Sequence, residues 1–146
     1  MTYISHGLKN KELENQDTKD RITEYTEKTI KTANELLDQL GRISDPETAR
    51  RYTAQLAPLL EKLQADNNII NLYLYSDFEG GKQLLPDLSK DFYAINSQLV
   101  DEIERIRQSD YYHEPALRKF LNALGFPILH VLDHSVERPN RVVFPE

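Results

Sequence analysis

The 146-residue sequence predicts an all-α fold: an antiparallel bundle of four main helices, a short C-terminal helix and an extended tail. Three observations lead there. Apolar residues recur every three or four positions along several stretches, the period of a helix with one buried face. Proline, glycine and small polar clusters fall between the stretches at helix starts and stops. The only strand-like runs, 69–75 (IINLYLY) and 141–144 (RVVF), lie too far apart in character and position to suggest a sheet.

Residues 1–14 are polar and without a clear period, so they are expected to form a flexible segment ahead of a single helical domain spanning 15–146. The first helix carries Ile22, Tyr25, Ala33, Leu36, Leu37 and Leu40 on one arc, and Gly41 stands where a left-handed cap would close it. Ser44-Asp45-Pro46-Glu47 then reads as a helix start. Proline suits the first turn, and Ser44 with Glu47 forms a capping-box pattern. So short a connection makes the second helix antiparallel to the first.

The second helix has Ala49, Tyr52, Leu56, Leu59, Leu60, Leu63, Ile70 and Leu74 on its stripe, with Pro58 predicting a bend near 54–58. Asn67 also falls on the stripe. It either sets register or partner choice, or marks a helix end near 66–68. Residues 69–75 are read as a continuation of the helix. Residues 76–89, with Gly80, Gly81 and Pro86, form the one long connection. A third helix from about 88 to 108 is lined by Phe92, Ile95, Leu99, Ile103 and Ile106. After a turn at 110–114, Pro115 starts a fourth helix with Leu117, Phe120, Leu121 and Leu124 inward. Gly125 and Pro127 separate off a last helix over about 127–137, and 138–146 is expected to be extended.

The composition excludes several functions. There is no cysteine, hence no disulfide, thiolate metal site or cysteine nucleophile. Twenty-four acids against 18 bases give a net charge of −6, without the basic face that direct nucleic-acid binding needs. No apolar stretch has spanning length, and the first residues lack a signal-peptide core. A cytoplasmic protein that does not enter a membrane is expected.

The most pointed motif is 130–137, HVLDHSVE. On a helix, His130, Asp133, His134 and Glu137 share one polar face, and histidines four apart can chelate a divalent metal. The same face equally serves as the hydrated side of an amphipathic helix. Val131 stands where H-E-x-x-H would need glutamate. Asp110 and His113, with Glu114, make a looser carboxylate–histidine pair, for which helix capping is the plainer reading. Gly80-Gly81-Lys82 lacks the residues of a phosphate loop and reads as a flexible turn. No nucleophile turn accompanies the histidines.

These observations favour a non-enzymatic protein–protein interaction module of the inhibitor, immunity, antitoxin or chaperone type. Its acidic helical surface would meet another protein, one with basic character. Candidate partner-binding residues are Tyr73, Tyr75, Phe78 and Glu79, then Tyr111 and Tyr112, then Val142, Val143 and Phe144 in the tail. The alternative is a metal-binding bundle built on His130, Asp133 and His134, with a divalent ion as its cofactor. The wide apolar stripes would also permit a homodimer.

Overall fold

The computed structural model describes residues 3–131, and side chains from residue 10 onward. Helix α1 (Tyr3–Arg42) is followed by α2 (Pro46–Ser76), a single turn α3 (Phe78–Gly81), α4 (Leu85–Gln108) and α5 (Pro115–Asn122). A one-turn 3-10 segment, Lys82–Leu84, joins α3 to α4, and a turn at Asp110–His113 joins α4 to α5. Among the described residues there is no strand and no helix long and apolar enough to cross a membrane.

The architecture is the all-α antiparallel bundle that the periodicity predicts. α2 folds back along α1, so the far ends of the two helices meet. Thr18 Oγ1 donates to Asp77 Oδ2 at 2.7 Å, and the Tyr25 and Tyr73 rings lie 6.5 Å apart. α4 turns again. Its Arg105 reaches the C-terminus of α1, donating to the Leu40 carbonyl at 2.9 Å and the Ile43 carbonyl at 2.8 Å. The Leu40 carbonyl also accepts from the Ile43 amide at 3.1 Å, and the guanidinium adds a charged donor at this helix end, a cap supplied by a neighbouring helix. Glu102 holds the same guanidinium at 2.8 Å, and Tyr112 accepts from it at 3.0 Å.

The core is built from the predicted stripes. Ile22, Ala33, Leu36 and Leu40 of α1, Ala49, Leu56, Leu63, Ile70 and Leu74 of α2, Phe92, Ile95, Leu99 and Ile106 of α4, and Leu117 and Leu121 of α5 are all buried. Residues 69–75 continue α2, as expected. Pro58 lies inside α2 on its exposed side.

Several local expectations are corrected. α1 begins at Tyr3, so helix occupies most of the stretch expected to precede it. Gly41 is helical and no glycine has positive φ, hence there is no left-handed cap there. The N-cap of α2 is Asp45 rather than Ser44, with Thr48 completing the capping box. Pro46 explains the shift, because it forces the preceding residue into the extended conformation an N-cap requires, seen as φ −158° and ψ 173°.

The segment 76–89 is not a loop. Gly80 and Gly81 sit within α3, and Pro86 lies in the first turn of α4, where its missing N–H is harmless. The glycines serve close approach. A Cβ on Gly81 would stand 2.7 Å from both Ile22 Cδ1 and Leu74 Cδ2, and one on Gly80 would meet Asp77 Oδ2 and, at 2.9 Å, the Asn15 backbone. Finally, residues 127–131, expected to open a last helix, are not helical. The rest of that expected helix, and the tail, lie outside the described residues.

Candidate functional site

After α5 the chain passes Leu60 and Gln64 of α2 and enters the space between α2 and α4 as an irregular strap, residues 126–131. Only two of its side chains are buried, Ile128 at 5% and Leu129 at 1% exposure. Its backbone is held by three asparagines. From α4, Asn96 Oδ1 accepts from the amides of Ile128 at 3.1 Å and Leu129 at 3.0 Å, while its Nδ2 donates to the Leu129 carbonyl at 2.8 Å. From α2, Asn67 Oδ1 accepts from the His130 amide at 3.1 Å, and its Nδ2 donates to the His130 carbonyl at 2.9 Å. Asn71 Nδ2 donates to that same carbonyl at 3.0 Å.

A strap without helix or strand leaves its own N–H and C=O groups unpaired, and burying them unpaired is costly. A primary amide carries both a donor and an acceptor, so it can satisfy both polar groups of one residue. Asn67 and Asn71 stand one helical turn apart and therefore share a face. The two readings weighed for Asn67 are thereby resolved. It is a buried, fully paired residue inside α2, not a helix end.

His130 is pinned through its backbone and its imidazole side is exposed. Residues 127–131 are not helical, so His130 itself is not on a helix face. Asp133, His134 and Glu137 lie outside the described residues, as do Val142, Val143 and Phe144. Among the described residues no three His, Asp or Glu side chains group closely enough to hold a metal.

Two of the tyrosines proposed for partner binding, Tyr111 and Tyr112, pack against the bundle. Tyr111 is buried and its hydroxyl donates to Asn122 Oδ1 at 2.7 Å, while Tyr112 accepts from Arg105. They are placed so by an unusual backbone. Asp110, Tyr111, Tyr112 and His113 all have positive φ, between 52° and 61°. A left-handed turn of non-glycine residues costs about 1–2 kcal/mol per residue, so its anchors must offset it. Arg118 supplies two of them, pairing with Asp110 Oδ1 at 2.5 Å and lying 5.5 Å from the Tyr111 ring centre. Glu114, not Asp110 or His113, caps α5, its side chain accepting from the Ala116 amide at 3.3 Å. At the opposite end of the bundle Tyr73, Tyr75 and Phe78 are half-buried and Glu79 is exposed, its carboxylate 2.6 Å from Lys82.

The side chains most available to a partner are others. Leu13 on α1 is 60% exposed; on α4 Tyr93 is 76% and Val100 45% exposed, and Phe126 is 46% exposed on the strap. Tyr93, Asn96 and Val100 follow one another at helical spacing, so the residue that grips the strap lies between two exposed apolar ones. The sequence does contain the signal: both fall outside the inward stripe of α4.

One buried acid stands apart. Asp66 of α2 is 9% exposed, and its Oδ2 has no hydrogen-bond partner. Burial pushes its carboxyl above the ordinary 3.8, against the opposing pull of Lys62 and Lys28.

Comparison with models of known protein families finds no match, and neither curated proteins nor solved structures show significant similarity to the chain. The class that fold and site define is thus an antiparallel helical bundle with an asparagine-gripped strap.

Proposed function

We propose that this chain is a non-enzymatic interaction module that docks another protein on the side formed by α4 and the strap. The observation that carries this reading is the exposure of Tyr93 and Val100 on one face of α4, flanking the residue that binds the strap, with Phe126 exposed on the strap itself. Large apolar groups left in water are candidate docking contacts, and tyrosine contributes strongly at interface centres. The net charge of −6 favours a partner with a basic rim and makes association sensitive to salt. The proposed setting is the cytoplasm.

The test is site-specific photo-cross-linking in cells, with benzoylphenylalanine replacing Tyr93 in the full-length chain. A discrete adduct with one other protein is expected, reduced by Val100→Asp or Phe126→Asp. The same probe in place of Arg50, on the exposed side of α2, should give none. An adduct with a second copy would make the partner a homodimer. No adduct from position 93, or the same adducts from position 50, refutes the reading.

A further inference from the structure

The groove beneath the strap carries an inference that does not depend on the docking surface above it. Among the described residues, Asn67, Asn71 and Asn96 bind the strap through its backbone: the amides of residues 128, 129 and 130 and the carbonyls of 129 and 130. Among the described contacts, none joins a strap side chain to these asparagines. Selectivity in this groove therefore rests on two adjacent aliphatic side chains, Ile128 and Leu129, and on a backbone irregular enough to offer its N–H and C=O groups sideways.

Such a site does not distinguish a covalently attached segment from a free one of the same chemistry. Upstream, Gly125, Phe126 and Pro127 are all exposed, so little packing ties the strap to the end of α5. The lining is also suited to being uncovered. An emptied apolar groove would be penalised along its whole length, whereas Asn67, Asn71 and Asn96 can exchange the strap's backbone for water.

The geometry points to the α2–α4 groove being a peptide-binding site for a non-helical segment of a partner protein with two adjacent aliphatic residues, the chain's own residues 126–131 acting as its internal competitor. Access to the groove is then governed by how often the strap leaves. A ligand's apparent affinity is reduced by the fraction of molecules in which the site is open.

The test uses the full-length chain and a fluorescein-labelled peptide of residues 126–131. In the Ile128→Asp/Leu129→Asp protein the internal segment no longer suits the groove, and the peptide should bind at least roughly tenfold more tightly than it binds the unaltered chain. Adding Asn96→Ala to that protein should abolish binding, as should placing Asp at both aliphatic positions of the peptide. If the double variant keeps its helical circular dichroism and a cooperative melt yet binds no peptide at millimolar concentration, the proposal is wrong. If that variant does not fold, amide hydrogen exchange on the unaltered chain decides. The amides of Leu129 and His130, accepted by Asn96 and Asn67, should exchange at least tenfold faster than those of Leu36 and Leu63 in the core. Exchange no faster than the core would show the strap to be released only by global unfolding, and would overturn the idea. A concentration-dependent dimer dissolved by the peptide would support it, with a second copy as the ligand. Failure of peptide binding alongside a Tyr93 adduct would remove only the groove proposal.

Discussion

Alanine at Gly81 and alanine at Gly41 should shift stability in opposite directions. Both glycines have ordinary right-handed or helical backbone, so neither substitution is opposed by φ. Replacing a helical glycine with alanine normally stabilises by about 0.5–1 kcal/mol, because alanine has less backbone entropy to lose. At Gly41 nothing lies within 4 Å of the added Cβ, so that gain should appear in full or nearly so. At Gly81 the new Cβ would lie 2.7 Å from Ile22 Cδ1 and from Leu74 Cδ2. Comfortable carbon–carbon contact needs about 3.5–4.0 Å. Neither neighbour can withdraw easily, since Ile22 is 0% and Leu74 1% exposed. Overpacking of this kind costs about 1–3 kcal/mol, which exceeds the propensity gain. The net expectation is a loss of about 0.5–2 kcal/mol at Gly81 and a gain of about 0.5 kcal/mol at Gly41. Urea unfolding followed by circular dichroism reads both, as midpoints moving apart at unchanged slope. Leu74→Val in the Gly81→Ala background should recover part of the loss, since the two positions share one space. If Gly81→Ala stabilises the protein, the glycine pair is a flexible turn after all, and the seating of α3 against α1 is wrong.

Three further outcomes follow from named contacts. Arg105→Met should destabilise by about 1.5–3 kcal/mol, because two carbonyls at the end of α1 and the Tyr112 hydroxyl lose a charged donor; Arg105→Lys should recover little, lacking the fork that reaches both carbonyls. Thermal unfolding checks both variants. For Asp66 the folded carboxyl titrates above its unfolded value of 3.8, so its favourable contribution is complete below that value and is lost as pH rises through the folded value. Asp66→Asn should therefore stabilise at pH 7 and lose that advantage under acid conditions; an equal effect across the range would contradict the burial argument. His113→Gly should raise stability by about 0.5–1 kcal/mol by relieving one left-handed residue in an exposed position, read as a higher urea midpoint.

The core of the bundle was legible from spacing alone because burial of a helix face is a local, periodic property. Ile22, Leu36 and Leu40, or Phe92, Ile95 and Leu99, declare their side of a helix without knowledge of what covers it. Punctuation was less transparent. The same glycine or proline can stop a helix, start one, or let two helices touch. Gly80, Gly81 and Pro86 have the composition of helix breakers, yet Gly80 makes room for Asp77 and Asn15, Gly81 for Ile22 and Leu74, and Pro86 opens α4.

The candidate sites were less legible still. Tyr111 and Tyr112 looked available until a left-handed turn carried them inward, and four consecutive non-glycine residues in that conformation cannot be anticipated from local preference. HVLDHSVE looked like a helical face, but its described start, His130, is held by Asn67 across 63 positions of sequence. Asn71 and Asn96 carry no signal in the sequence, because an amide is an ordinary helical surface residue until a backbone is laid against it.

The amino-acid order by itself determined that this chain forms amphipathic helices without a sheet, carries an acidic net charge and has no thiol chemistry, since each of these depends on residue identity and near-neighbour spacing. Only the tertiary structure decided what the asparagines face, which aromatics stay in water, and that the chain beyond α5 becomes a strap rather than a rod. Those outcomes depend on hydrogen-bonding groups from α2, α4 and residues 128–130 converging, and separation along the chain carries no record of that meeting.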